Sequence, residues 1–177
     1  MVLVVIGIGS FVVFGQRNNP WTSNYIGTHY PPYPSGTKFY SSVGKGNDKF
    51  FDTHSVNQIS TPHGSEIWLS RIENRDNRGT PNLIVTDSLQ APDENGTQFI
   101  TAGLCGKLSS DSQILHDPFL VALANRQIYE NPQTHEKEYR DQAVRTWKIN
   151  SITEKFEEYS SGGIFCNTTD APPGYSD

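Results

Sequence analysis

In the first half of the chain, hydrophobic and polar residues alternate in short segments that predict β-strands. Residues 37–43 and 48–56 are two such segments separated by GKGN, and residues 65–73 and 81–89 flank the polar loop NRDNRGT. Alternation of this kind, bounded by glycine and asparagine, is typical of half-buried strands joined by hairpin turns. We therefore expect two β-hairpins, followed by a further strand at residues 97–104 after the turn APDENG.

In the second half the spacing of apolar residues lengthens and predicts helices. An N-cap with proline behind it opens one helix at Asp117, and apolar residues recur at helical spacing up to Tyr129. Residues 135–147 carry an apolar stripe, and residues 151–163 begin with a capping box. The sequence thus predicts an α+β fold with an N-terminal apolar anchor helix, β-hairpins in the first half and two to three helices in the second half, in a single small domain.

The opening residues, MVLVVIGIGSFVVFG, carry no charge. A helix that is apolar on every face must be buried in lipid or in protein. Fifteen residues cover roughly 22 Å of a hydrocarbon core that is about 30 Å thick. We predict a short membrane anchor over residues 1–17, completed by Gln16 and Arg17, with Trp21 and Tyr25 at the headgroups. A cleaved signal peptide and a buried N-terminal element of an oligomer are the alternatives.

The side of the membrane on which the domain of this single-pass protein would lie is left open. Arg17 follows the apolar segment and favours a cytosolic domain. Candidate glycosylation sequons at Asn95 and Asn167 favour the non-cytosolic side. A disulfide between Cys105 and Cys166 would favour that side too. The cysteines are expected either to form this one disulfide or to remain buried thiols.

The segment MVLVVIGIGSFVVFG also resembles the apolar start of type IV pilins and pseudopilins that lack their leader. This resemblance covers less than a tenth of the chain and implies a filament subunit. In those families the helix continues for several amphipathic turns, whereas Asn18, Asn19 and Pro20 end it here.

Residues 18–36 form an extended strap that is rich in aromatic residues and proline. Aromatic rings on an irregular segment bury a large area when they find a surface. We expect the strap to pack on its own domain, on a membrane face or on a partner subunit, with candidate partner-docking residues Trp21, Tyr25, Tyr30 and Tyr33. The predicted division is an anchor at 1–17, the strap at 18–36, an α+β domain at 37–168 and a flexible tail at 169–177.

Composition narrows the classes of partner. The chain has 14 Lys and Arg against 19 Asp and Glu, a net charge of -5, and its basic residues are scattered. Because nucleic-acid binding needs a clustered basic surface, no nucleic-acid partner is expected. Aromatic residues make up 11% and charged residues 19% of the chain, a balance that favours a packed core over disorder.

Catalytic chemistry has one candidate set in this sequence. Asp52, His54, His63 and Ser65 include an acid, a base and a nucleophile, and such sets are spatial rather than sequential. The sequence contains no nucleophile elbow, phosphate-binding glycine loop or zinc-binding helix. We therefore predict no enzyme, no metal and no cofactor, and a small exported enzyme using His54 and His63 is an alternative.

Docking features are more evident than catalytic ones. Near the C-terminus Pro172, Pro173 and Tyr175 fit the PPxY pattern that WW domains bind. Together with the anchor and the strap, this pattern favours a non-catalytic, membrane-anchored structural or accessory subunit of a larger assembly, such as a membrane protein complex or a virion shell over a membrane. The expected partners are other protein subunits and, through residues 1–17, the lipid bilayer.

Overall fold

The computed structural model describes residues 24–43, 48–91, 98–125, 128–130 and 137–167. These residues form two antiparallel β-sheets and one short helix, α1 (Phe50–Thr53). The first sheet contains β1 (His29–Tyr30), β2 (Lys38–Ser42), β3 (His54–Thr61), β4 (Gly64–Arg75) and β5 (Pro81–Gln90). The second sheet contains β6 (Gln98–Ala102), β7 (Cys105–Leu108), β8 (Ile114–His116), β9 (Leu120–Asn125), β10 (Ile128–Glu130), β11 (Lys137–Asn150), β12 (Lys155–Tyr159) and β13 (Ile164–Asn167).

Four strands of the first sheet follow one another as a meander. Their spatial order is β1-β5-β4-β3-β2, so β1 and β2 lie at opposite edges. The β4–β5 hairpin lies where the alternating pattern predicted it. Asp76 stabilises its loop because one carboxylate oxygen accepts the backbone N–H groups of Arg78 and Thr80, each at 2.8 Å.

The second sheet curls on itself. Its order is β6-β9-β11-β13-β7-β8, and β10 and β12 also pair with β11. Residues 103–104, between β6 and β7, and residues 117–119, between β8 and β9, do not belong to any strand. These breaks bend the sheet, so that β7 and β13 return into contact with β9. The concave side of the curl is therefore an enclosed space.

The main hydrophobic core lies between the two sheets. Burial of one large apolar side chain contributes about 1.5–3 kcal/mol, so this cluster is the largest source of stability in the fold. Its buried members are Phe51, Val56, Ile67, Leu69, Leu89 and Ala91 from the first half of the chain, and Ile100, Val121, Leu123, Trp147 and Ile149 from the second sheet.

A second buried cluster fills the concave side of the curl. It consists of Cys105, Leu120, Ala122, Ala124, Ala143, Ile164 and Cys166. The three alanines let neighbouring strands approach closely in this narrow space. Cys105 on β7 and Cys166 on β13 are directly opposite in register and form a disulfide, with their Cα atoms 4.0 Å apart. A disulfide is one of the two states that the sequence left open.

The outer face of the first sheet is covered by the described part of the strap. Tyr30, Ile59, Trp68, Leu83 and Val85 form a third buried cluster there. β1 pairs with β5 at one edge of the sheet, and β2 pairs with β3 at the other edge. Residues 31–37 connect β1 to β2 and therefore cross the sheet from one edge to the other. This segment covers four strand spacings, or roughly 19 Å, and it includes a turn in which the Thr37 N–H donates to the Pro34 carbonyl. The strap is irregular because it must bridge this distance.

The predicted α+β fold is wrong, since strands replace the predicted helices of the second half. Residues 120–125 satisfied a helical spacing, yet they form β9. Val121 and Leu123 face the first sheet, whereas Leu120, Ala122 and Ala124 face into the curl. A strand that is buried on both faces is a continuous apolar run, and periodicity alone does not distinguish it from a buried helix.

A β-bulge explains the second incorrect helix. β11 runs through the residues predicted as a helix at 135–147, and its register with β9 shifts between Ala143 and Arg145. The extra residue places Ala143 in the cluster inside the curl and Trp147 in the main core, so both are buried on opposite faces of the strand, and their separation of four residues matches that of a helical turn. The third predicted helix is a turn followed by β12, in which Asn150 Oδ1 accepts the N–H groups of Ile152 and Thr153.

The predicted single-pass membrane localisation is corrected as well. In the part of the chain that the structure describes, no helix is long and apolar enough to cross a membrane, and the helix found there has four residues. Residues 1–17, over which the anchor helix was predicted, lie outside the described residues, as do residues 169–177 of the predicted tail. A two-sheet β-domain takes the place of the predicted α+β domain.

Removal of the disulfide is expected to destabilise the protein strongly. Because the bridge joins residues 61 positions apart, the double variant Cys105→Ala/Cys166→Ala should lose about 4 kcal/mol of unfolding free energy through the larger entropy of its unfolded chain. Urea unfolding of the oxidised, the reduced and the doubly substituted protein measures this loss. If reduction leaves the urea midpoint unchanged, the bridge does not constrain the unfolded chain.

Candidate functional site

A patch of exposed aromatic rings lies at the β2 edge of the first sheet. Phe39 and Tyr40 are 46% and 42% exposed, and Tyr33 of the strap is 37% exposed. The rings of Tyr33 and Phe39 are 6.1 Å apart. A bulge between Phe39 and Ser41 leaves Tyr40 out of the register with β3, which helps to expose two consecutive aromatic residues. We call Tyr33, Phe39 and Tyr40 the edge patch.

The edge patch rests on a rigid buried base. Tyr33 packs on Tyr30 at 5.1 Å between ring centroids, and Tyr30 packs edge-on against Trp68 at 5.5 Å. The Tyr30 hydroxyl donates to Ser70 Oγ and accepts from Asn57 Nδ2, both at 2.7 Å. Burial raises the pKa of Tyr30 to about 12. Tyr30 is therefore a fixed, neutral anchor for the rings above it.

A buried carboxylate orients the indole of this base. Glu66 is 1% exposed, and its Oε2 accepts the indole N–H of Trp68 at 2.8 Å. Its Oε1 lies 3.4 Å from the Thr61 hydroxyl, which donates to it. A buried hydrogen bond to a carboxylate restricts the orientation of both partners, so the Trp68 ring has one position under the strap.

A groove opens at one end of the curl in the second sheet. Leu120 and Ile164 are each 2% exposed and lie at its buried side, whereas Leu115 and Tyr159 are 61% and 43% exposed at its rim. The groove has a volume of about 290 Å³ and is lined by Gly106, Lys107, Leu115, Asp117, Leu120, Tyr159 and Ile164. A Cβ atom on Gly106 would lie 1.7 Å from the Leu115 carbonyl oxygen, so only glycine permits this approach of β7 and β8.

The charged groups of the groove differ in how they are paired. Lys148 Nζ donates to Asp117 Oδ2 at 2.9 Å, and this hydrogen bond raises the pKa of Lys148. The other oxygen of Asp117, Oδ1, accepts the Phe119 N–H at 2.9 Å. Lys107 lies between Ile164 and Leu115 in the register of β13, β7 and β8. Among the described residues no acidic side chain pairs with Lys107.

A polar clamp joins the two sheets at the turn between β11 and β12. Glu154, which has a φ of 53°, accepts from Arg71 Nη1 at 3.2 Å, and its other oxygen lies 3.3 Å from Nε2 of His54. The second contact lacks the alignment of a hydrogen bond. The His54 ring stacks on Phe50 at 4.0 Å and is 9% exposed. His54 thus lies beneath the turn, packed between two elements.

The residues of the candidate catalytic set do not come together. His63 lies in the turn between β3 and β4, at the opposite end of β3 from His54. The length of β3, from His54 to Thr61, amounts to roughly 23 Å and separates these two side chains. Asp52 is in α1 near His54, whereas Ser65 pairs with Ser60 near His63. Within the described part of the chain no three His, Cys, Asp or Glu residues are arranged to hold a metal ion.

Some of the other predicted site residues lie in the described part of the chain, and the rest lie outside it. Tyr25 packs on Trp68 at 4.9 Å, and Asn167 lies in β13, where its N–H donates to the Leu104 carbonyl. Tyr30 is 1% exposed, so its ring is used within the chain. The candidate docking residue Trp21, the sequon residue Asn95 and the WW-ligand residues Pro172, Pro173 and Tyr175 lie outside the described residues.

The sequence pattern pointed to Tyr33 of the edge patch as a docking residue, but not to Phe39, Tyr40 or the groove. Two adjacent aromatic residues in the short strand KFYSS were the available signal for the patch, because strict alternation would bury one of them. The groove had no local signal, since its apolar residues come from β8, β9, β12 and β13. Only the curl of the sheet brings them together.

No family model, no curated protein and no solved structure matches this chain. Its function is therefore inferred from its own surfaces.

Substitution Tyr30→Phe tests the anchor beneath the edge patch. It should lower the free energy of unfolding at neutral pH by about 1–3 kcal/mol, because Asn57 and Ser70 lose a buried partner. Thermal or urea unfolding measures this loss. Substitution Tyr159→Phe is the control, since Tyr159 is 43% exposed and lies on the other sheet.

The same variant tests the pKa of Tyr30. An acid whose pKa is raised by folding stabilises the native state below its unfolded pKa, and that stabilisation is lost as the pH rises through the folded value. For Tyr30 the window is from pH 10 to about 12, and the loss is about 3 kcal/mol. Unfolding free energies across this window should fall less in Tyr30→Phe than in the unsubstituted protein. Equal slopes would contradict the buried position of Tyr30.

Proposed function

We propose that this chain is a non-catalytic structural subunit that assembles with a second copy of itself through the edge patch on β2. The observation that carries the proposal is the combination of a free sheet edge with three exposed aromatic rings. All five residues of β2 are exposed, and among the described strands β3 alone pairs with it. Its outward backbone groups are therefore available for a further strand.

Sheet edges with apolar side chains favour strand pairing between chains. An unpaired edge presents a row of N–H and C=O groups, and natural proteins protect it with charge, proline or a covering segment. β2 contains one charged residue, Lys38, and one bulge, between Phe39 and Ser41, and it exposes Phe39 and Tyr40 at the edge. Main-chain hydrogen bonds would supply affinity, and the aromatic rings would supply contact area at low entropic cost.

The sequence of β2 is complementary to itself in one antiparallel register. If Tyr40 pairs with Tyr40 of a second copy, then Lys38 of each chain is opposite Ser42 of the other, and Phe39 is opposite Ser41. This arrangement separates the two ammonium groups, whereas like charges directly opposite each other would destabilise the pair. Aromatic pairs across strands are among the favourable ones. A two-fold pair of this kind joins two five-stranded sheets edge to edge.

The rigid base under the patch supports the same proposal. Tyr33 is held by Tyr30, and Tyr30 is held by hydrogen bonds to Ser70 and Asn57. A surface whose side chains are already ordered loses less entropy on association. Tyr33 is therefore expected to lose little side-chain entropy when a partner binds.

Substitution Tyr40→Lys tests the assembly. It places two ammonium groups opposite each other at the two-fold axis and removes an aromatic pair, so the dissociation constant of the dimer should rise about tenfold or more. Sedimentation velocity over a range of concentrations measures this constant. Ile152→Lys is the matched control, because it adds the same charge at a side chain that is 91% exposed and lies in the turn between β11 and β12, outside the edge patch. Tyr40→Phe should retain the dimer.

Three outcomes would contradict the proposal. The first is a monomer at every concentration. The second is an equal dissociation constant for Tyr40→Lys and Ile152→Lys. The third is an open series of larger species that Tyr40→Lys does not disrupt, which would indicate head-to-tail contacts elsewhere on the surface, as in a filament.

A further inference from the structure

We propose that the groove of the second sheet binds a small amphiphilic carboxylate, with the apolar body of the ligand against Leu115, Leu120, Tyr159 and Ile164 and its carboxylate on Lys107. This inference is independent of assembly at β2, because the groove lies on the other sheet. It rests on the shape of the groove, on the chemistry of its lining and on the charge at its rim.

The shape of the groove suits a small molecule. Openings of curled or closed sheets are common places for ligands, and small-molecule sites usually have about 300–1,000 Å³. The groove, at about 290 Å³, lies near the lower end of that range. Its apolar lining comes from four strands of the second sheet, through Leu115, Leu120, Tyr159 and Ile164. A single alkyl chain of medium length fits this description better than a folded protein surface.

The lining separates an apolar interior from a polar rim. Leu120 and Ile164 are buried, and Leu115 and Tyr159 stand above them with much of their surface exposed. Exposed leucine and tyrosine side chains beside a recess would gain stabilisation if an apolar group covered them. An alkyl chain that enters the groove removes both side chains from water.

The charges at the rim favour an anionic head group. Asp117 has both carboxylate oxygens occupied, one by Lys148 and the other by the Phe119 N–H. Lys148 is likewise neutralised by its bond to Asp117. Lys107 remains without an acidic partner among the described residues, and it lies in register between Leu115 and Ile164. The groove therefore carries one excess positive charge next to its apolar residues.

A carboxylate is the ligand group that satisfies this arrangement. A charge-assisted hydrogen bond from the Lys107 ammonium to a carboxylate is stronger than a bond between neutral groups. Lys107 is exposed, so its ammonium group is accessible to the carboxylate of a ligand at the rim of the groove. A cationic amphiphile would be repelled by Lys107, and a neutral one would leave it unpaired.

Octanoate is the probe that tests this site in the full chain. Isothermal titration calorimetry should give one octanoate per chain, and the amide NMR signals of Gly106, Leu115 and Ile164 should shift on binding. The variant Lys107→Gln should weaken octanoate binding about tenfold, the effect of losing one charge-assisted hydrogen bond. Octanol, which has the same chain length without the charge, should bind the unsubstituted protein about tenfold more weakly as well. Acetate, which has the charge without the chain, should not bind.

Matched variants keep the test specific. Lys49→Gln removes an exposed lysine from the segment before α1 and should leave the affinity unchanged. Leu115→Ser removes an exposed apolar group at the rim and should weaken octanoate and octanol equally. Its effect is interpretable because Leu115 is 61% exposed, so the substitution leaves the buried clusters intact.

The proposal is overturned if octanoate does not bind, or if it binds Lys107→Gln and the unsubstituted protein equally. It is also overturned if the NMR shifts fall on residues of the first sheet instead of the groove. Binding of a peptide with a C-terminal leucine but not of octanoate would assign the groove to a protein terminus and would contradict the small-molecule ligand. Each of these outcomes is independent of the sedimentation behaviour of Tyr40→Lys.

Discussion

Both sheets of this protein carry apolar side chains on both faces, and each face needs a cover. The first sheet uses the second sheet for its inner face and the strap, anchored by Tyr30 on Trp68, for its outer face. The second sheet covers its remaining face by curling, so that β7 and β13 reach β9. The disulfide between Cys105 and Cys166 joins β7 to β13, two neighbouring strands of that curl. Without these covers, leucine, valine and tryptophan side chains would face water, at a cost of about 25 cal/mol per Å² of apolar surface.

The two candidate sites lie where these covers end. The strap finishes its crossing at β2, and Tyr33 of the strap is left partly exposed together with Phe39 and Tyr40 of β2. The curl stays open at one end, where Leu115 and Tyr159 border the groove. The exposed apolar side chains at these places adjoin the buried clusters, and a bound partner or ligand would remove them from water as well. Assembly and ligand binding would thus follow from the constraint that shapes the fold.

Local patterns in the sequence were sufficient to predict part of the fold. The alternation around Ile67 and Leu69 located the β4–β5 hairpin, because each of those residues faces the main core. The apolar run of β9 and the bulge at Ala143 in β11 were assigned to helices, since two-sided burial and an inserted residue both imitate helical spacing. The groove depends on contacts between distant strands, so no local signal could locate it. The strap was located by its composition, but its path across the sheet depends on the positions of β1 and β2 at opposite edges.

Native-state hydrogen exchange tests the two-sided burial most directly. β9 is paired on both sides, to β6 and β11, and is covered on both faces. Its amides, from Leu120 to Asn125, should therefore exchange only through global unfolding and show the full unfolding free energy. The amides on the free edge of β2 should exchange far faster in dilute solution. Fast exchange in β9, with free energies well below that of global unfolding, would contradict the curled sheet on which this account of the protein depends.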